Sequence, residues 1–123
     1  MIEQLKESGF TFRWLLQASS GVLLVILLAV HLIVNHWAAP HGLLGYADIV
    51  RYYDQPGIIW MESIFLIVIT SHSLLGLHAI VLDLNVSPRI ARSLAQALIL
   101  IGVFVILYGL WLIISIHSLS VSS

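Results

Sequence analysis

The sequence predicts an all-α membrane protein built from three transmembrane helices. Three observations carry that expectation. Of 123 residues, 60% are hydrophobic and 9% are charged, and the mean hydropathy is +1.05; an ordinary soluble domain carries about 25% charged residues. Five Lys and Arg with six Asp and Glu cannot clothe a globular surface in charge. The apolar residues fall into three runs, each long enough to cross a hydrocarbon core about 30 Å thick, and Pro, Gly, Asn and Asp interrupt them at two places. The whole chain, 1–123, reads as one membrane domain with no internal repeat.

In chain order, residues 1–11 are polar and read as a short arm or interfacial turn. Glu3, Lys6 and Glu7 are mixed in sign and the apolar run after them is too long for a signal core, which argues against a signal peptide. The first span is expected over 12–37, with Arg13 and Trp14 at one headgroup boundary and Trp37 at the other. Its interior holds Gln17, Ser19, Ser20, Gly21, His31 and Asn35. Ser20 and His31 are 11 residues apart, close to three turns, so they share a face. The small residues at 18–21 allow close helix packing.

An interfacial loop follows over 38–57, opened by Ala-Ala-Pro-His-Gly and closed by Asp-Gln-Pro-Gly, with a short amphipathic helix expected over 44–53. The second span is expected over 58–84, with Trp60 at its start and Glu62 close enough to that end to snorkel or cap. Asn85-Val86-Ser87-Pro88 is a tight turn, and Pro88 stops the helix before it. The third span, 90–117, carries no formal charge after Arg92 and reads as a packing helix, followed by a frayed Ser-rich tail.

The basic residues set an orientation. Lys6, Arg13, Arg89 and Arg92 fall on one side and only Arg51 on the other, so the N-terminus and the 85–89 turn are expected in the cytoplasm. The 38–57 loop, the C-terminus, His36, His41 and His117 then lie outside, in a chain of the cytoplasmic membrane. A net charge of −1 argues against nucleic-acid binding. The absence of cysteine removes disulfides, thiolates and a standard iron–sulfur ligand set.

The chemistry concentrates in the second span. His72 and Asp83 are 11 residues apart on one helix face, and Gly76 lies one turn from His72 and is expected to clear space beside its imidazole. An imidazole or carboxylate in hydrocarbon costs several kcal/mol unless it is paired, ligated or turned to a polar cavity. Asp83 near a helix C-terminus calls for compensation from Arg13, Arg89 or a partner chain. Helical bundles hold haem with imidazoles projected inward from facing helices. At 1.5 Å per residue His72 lies about 18 Å from the cytoplasmic boundary and His31 about 28 Å, a difference of about 10 Å. The two are poor partners for one iron, and each needs a second histidine, most simply from another subunit. Both can instead serve as helix–helix hydrogen-bonding residues. His78, six residues from His72, points away from it and reads at most as a contact to a haem propionate or to the ligand.

His72-x-x-x-Gly76-x-x-x-x-x-x-Asp83 on the middle of three spans, with the Ser20-Gly21 pair early in the first, resembles the small membrane-anchor subunits of succinate dehydrogenase (complex II), most of all the D-type anchor. The resemblance covers essentially the whole chain. It implies a cytochrome b anchor in a complex of the respiratory chain and tricarboxylic acid cycle. Such an anchor bundles with a C-type anchor subunit and docks the iron–sulfur and flavoprotein subunits. It implies that His72 is an axial ligand of haem b, that Asp83 and Ser20 lie near the quinone site, and that His31 ligates a second haem, as in members with two. Where many members have tyrosine after the aspartate this chain has Leu84. Where many have arginine two residues after the motif glycine it has His78, and the arginine before the span-one glycine is Ala18. Arg13 is then the candidate contact to quinone or propionate, and the quinone pocket is expected to be built largely by partner chains. The expected function is a non-catalytic subunit that helps pass electrons from succinate to quinone, with one or two b haems. The rivals are a haem-free anchor, a small proton-path or transporter subunit, and a haem-b carrier serving another dehydrogenase.

Overall fold

The computed structural model describes residues 2–39, 42 and 44–122. It forms four helices: α1 Ile2–Ala38, α2 Tyr46–Tyr52, α3 Pro56–Asp83 and α4 Pro88–Ser122. No strand occurs among the described residues. Thr11–Trp37, Pro56–Asp83 and Pro88–Ser122 are long and apolar enough to cross a membrane. Pro40 and His41, the latter expected at the outer surface, lie outside the described residues.

Local sequence explains the boundaries. α3 and α4 both open on proline, whose missing N–H costs nothing in a first turn. Leu84 and Asn85 close the end of α3 with N–H bonds to Val81 and Leu82 carbonyls at 3.3 and 3.4 Å. Asn85 then reverses the chain at φ 51°, a left-handed conformation that asparagine tolerates better than other side-chain-bearing residues. α2 begins at Gly45, whose N–H donates to Asp48 Oδ2 at 2.9 Å.

Two expectations are corrected at the ends. Residues before Thr11 are not an arm; α1 starts at Ile2 and runs 37 residues, about 55 Å. Residues 2–7 are mostly good helix formers, and Gly9 alone costs only about 1 kcal/mol against alanine, too little to break the helix. The Ser-rich tail is likewise helical, α4 reaching Ser122, and its serine hydroxyls donate to carbonyls one turn earlier instead of standing unpaired: Ser118 to Ser115 at 2.7 Å and Ser122 to Leu119 at 3.1 Å.

α3 is the central helix, packed against α1 on one side and α4 on the other. The α1–α3 pairs are Gln17 with Gly76, Ser20 and Gly21 with His72, and His31 with Glu62. Numbers rise on α1 as they fall on α3, so the two run antiparallel in one register. The α3–α4 contact is made by leucines lying over glycines, Leu74 over Gly102 and Leu66 over Gly109. Small residues at such crossings let apolar helices approach closely without water to drive them together. Among the described residues only Tyr52 and Ile113 are buried hydrophobics. Leu100, Phe104 and Trp111 stand in the open, an apolar exterior that suits lipid or a partner chain as solvent.

Candidate functional site

Two polar clusters sit between α1 and α3. The inner one is a stripe on α1, Arg13, Gln17, Ser20 and Gly21, facing His78, Gly76 and His72 on α3. Ser20 Oγ lies 3.0 Å from His72 Nδ1, and 3.1 Å from the Gln17 carbonyl. A hydroxyl has one hydrogen, which goes to the carbonyl, the only one of the two that cannot donate. His72 Nδ1–H therefore donates to Ser20 Oγ, and the ring's lone pair is on Nε2. The glycine that clears space for this imidazole is Gly21, not Gly76. A Cβ at Gly21 would stand 3.1 Å from His72 Cε1, whereas one at Gly76 would meet Gln17 Nε2 at 3.0 Å. Gln17 Oε1 is buried and accepts from no donor among the described residues.

At the same end, Arg13 Nη2 donates to His78 Nδ1. Six residues turn His78 roughly 120° round α3 from His72, so it meets α1 at a different flank and a guanidinium instead of a serine. Arg13 is thus engaged by His78 and not by Asp83. Asp83 is exposed at the end of α3 and has no ion pair among the described residues, Arg13 and Arg89 included.

The outer cluster was not expected. Glu62 is neither snorkelled nor a cap: it is 8% exposed, and one carboxylate oxygen, Oε1, takes both Tyr52 O–H at 2.5 Å and His31 Nδ1 at 2.9 Å. Asn35 Nδ2 donates to the His31 carbonyl at 2.8 Å and to Tyr52 Oη at 3.3 Å. Phe65, one turn along α3 from Glu62, stacks on the imidazole with centroids 4.9 Å apart. Burial, then the bond to Glu62 and its charge, hold the Tyr52 phenol well above the ordinary tyrosine range, and burial raises Tyr53 as well. Tyr53 in turn offers its carbonyl to His117 Nδ1–H at 2.9 Å, tying α4 to the segment after α2.

The register sets the spacing of the two histidines. His31 is level with Glu62, ten residues along α3 from His72, which is about 15 Å along the axis. The separation expected from sequence was shorter because it placed residues 12 and 84 at one depth; α1 extends beyond that plane. No three of His, Cys, Asp and Glu gather at one site among the described residues. The donor set is two single, half-buried imidazoles, each held at Nδ1 by a residue of the opposite helix.

Sequence reading singled out His72, Ser20, His31, Arg13, His78 and Asp83. The structure joins the first two, pairs Arg13 with His78, and sets Asp83 apart. It adds Gly21, Gln17, Glu62 and Tyr52. The signal for Glu62 was present, a carboxylate inside an apolar run. Its match to His31 needed only the antiparallel register that Ser20 and His72 define.

Fold and site together define a class: a small, multi-pass helical membrane subunit with its polar chemistry confined to one helix–helix seam. The chain is 32% identical over 103 residues to the succinate dehydrogenase hydrophobic membrane anchor subunit of Archaeoglobus fulgidus, covering 84% of this chain and 87% of that one. It is 33% identical over 93 residues to the subunit of the same name from Thermoplasma acidophilum, covering 76% of each. The chain belongs to the family of succinate dehydrogenase hydrophobic membrane anchor subunits. No protein-family model and no solved structure matches it.

Proposed function

We propose that this chain is a haem b-binding, D-type anchor of a succinate:quinone oxidoreductase. One observation carries the reading: two imidazoles inside spans each have Nδ1 engaged across the helix seam. That arrangement fixes the tautomer that leaves Nε2 as the ligating nitrogen. The fit is supported further by Gly21, which opens room at His72, and by the ten-residue offset of the two histidines along α3, which favours separate irons. His72 would hold the proximal haem and His31 a distal one, each with a further ligand from a partner anchor. Haem b, when bound, supplies a one-electron iron centre. Ser20 orients His72 by accepting from Nδ1–H. Arg13, with His78 behind it, presents a guanidinium to a propionate or to quinone.

Asp83, exposed where α3 ends, offers a carboxylate for hydrogen bonding to quinone or for holding a proton there. Lys6, Arg13, Arg89 and Arg92 share that end of the bundle, and the positive-inside tendency supports a cytoplasmic side for it. There the iron–sulfur and flavoprotein subunits dock. Without cysteine the chain lacks the usual iron–sulfur ligands; its role in the complex is to anchor and position, and oxidation of succinate belongs to those partners. A second reading, an anchor without haem, is favoured by the same two interhelical hydrogen bonds taken as packing alone.

A dithionite-reduced minus oxidised spectrum of the purified complex, with haem counted per flavin, separates the readings. Two b haems per flavin are expected. His72→Ala is expected to remove one spectral component and His31→Ala the other. If both substitutions abolish the same component, one iron is shared and the two-site assignment fails. A complex with no b-type spectrum leaves the haem-free anchor.

A further inference from the structure

We infer that Glu62, together with Tyr52, is a positioning residue for His31: it fixes the ring with Nδ1–H bound inward and Nε2 presented as the metal-ligating nitrogen. The inference rests on the reading of His31 as a ligand and adds the residues that act through it. Glu62 stands opposite His31 on the neighbouring helix and is the most buried charged side chain among the described residues. A carboxylate in such a place is costly unless its lone pairs are met, and here one oxygen takes two donors. Asn35 Nδ2 lies 3.3 Å from His31 Nδ1 as well as 3.3 Å from Tyr52 Oη, but Glu62 Oε1 at 2.9 Å is the nearer partner of Nδ1, and because a carboxylate oxygen only accepts, Nδ1 carries the hydrogen. Phe65 against the ring face limits its rotation about the last side-chain bond. The imidazole is held in place and in tautomer, while Nε2 has, among the described residues, only Asn35 Nδ2 at 3.5 Å, a contact at the limit of hydrogen-bond length.

A carboxylate bonded to the far nitrogen makes an imidazole a more basic ligand, and such outer partners typically alter metal retention by about 10–100-fold when removed. Tyr52 works against Glu62 in this respect. By donating to the same oxygen it withdraws part of the carboxylate's electron density from the His31 bond. Tyr52 also belongs to α2, so the seating of the interfacial helix is coupled to the ligand strength of a residue on α1. The two residues therefore push one property in opposite directions, which a merely structural pair does not do.

The test uses the whole complex carrying single substitutions in this chain, read by redox titration of the haem bands and by nitrogen NMR of histidine-labelled protein. His31→Ala first identifies the component that belongs to His31. Glu62→Gln, close in shape but uncharged, is expected to raise the midpoint potential of that component alone. Tyr52→Phe is expected to lower it, and the His72 component stays unmoved in both. Glu62→Leu is expected to loosen retention of the His31-linked haem by about 10–100-fold and to lose the single Nδ1–H signal of His31. If His31→Ala deletes a component yet Glu62→Gln and Tyr52→Phe leave it in place, or shift it in the same direction, the positioning role is overturned while the ligand assignment stands. If His31→Ala deletes nothing, the ligand assignment falls and the positioning role with it.

Discussion

Gly21→Ala and Gly76→Ala form a pair whose outcomes separate two accounts of the inner site. Sequence spacing gave Gly76 the task of clearing space for His72; the structure gives it to Gly21. A methyl at Gly21 stands 3.1 Å from His72 Cε1 and 3.7 Å from Nδ1, while carbon contacts relax at about 3.5–4.0 Å. The ring must yield by about half an ångström, away from α1, against the 3.0 Å bond to Ser20. Overpacking of this kind costs about 1–3 kcal/mol, offset by about 1 kcal/mol because alanine is the better helix former. The net cost of about 0–2 kcal/mol leaves an assembled complex whose disturbance is local to one imidazole. The methyl at Gly76 instead meets Gln17 Nε2 at 3.0 Å, the free end of a side chain that can swing away. Reduced-minus-oxidised spectra of the two variant complexes make the comparison. Gly21→Ala is expected to shift or broaden the His72-dependent component, and Gly76→Ala to leave it as in the wild type. A normal spectrum with Gly21→Ala, or a larger change with Gly76→Ala, refutes the placement of the ring.

The remaining predictions concern packing, the Glu62 cluster and the end of α3 at Asp83. A methyl at Gly102 collides with Leu74 Cδ1, so Gly102→Ala is expected to lower the melting temperature of the complex by circular dichroism, and Leu74→Ala added to it to recover part of the loss through their coupling. Tyr52→Phe removes one hydrogen bond of the buried Glu62 and is expected to cost about 1 kcal/mol. In an ultraviolet titration it also deletes a late phenol: the raised Tyr52 group favours the neutral form in the fold, so its contribution is complete below about pH 10 and is lost as pH climbs beyond. Asp83→Asn is expected to slow quinone reduction more than succinate-to-dye transfer; equal slowing in both assays removes Asp83 from the quinone end.

Hydropathy made the three spans legible, but Pro56 and Pro88, read as the close of a loop and the stop of a helix, are themselves the first residues of α3 and α4, two residues before the expected starts. Polar residues inside apolar runs pointed to His72, Ser20 and His31 because hydrocarbon makes each of them costly. What the sequence withheld was register. Helical periodicity says which residues of one helix share a face, but not which residue of the next helix stands opposite. For that reason Gly76, one turn from His72 on its own helix, looked like its neighbour, while Gly21 on α1 is the residue that touches it. Glu62 was placed at the membrane edge for the same reason. Counted from its own end it lies near the start of α3; counted across the seam it lies opposite His31, capped by a tyrosine from α2.

The two clusters are reciprocal, and that has a consequence for how the subunit can move. α1 supplies Ser20 to the imidazole of α3, and α3 supplies Glu62 to the imidazole of α1. Both bonds depend on one antiparallel register. A slide of α1 along α3 by a single turn, about 5.4 Å, separates both donor–acceptor pairs at once, so no small sliding motion can tune one histidine and spare the other. α4 stands outside this constraint: at Gly102 it meets α3 through Leu74 and Thr70, and at Gly109 through Leu66, none of which bonds to either histidine. Substitutions at Gly102 are therefore expected to change stability with both histidine-dependent components of the proposed haem spectrum unmoved. Redox spectra of the Gly102→Ala complex check this, and a complex with one component displaced shows that α4, and not the α1–α3 seam alone, holds the imidazoles.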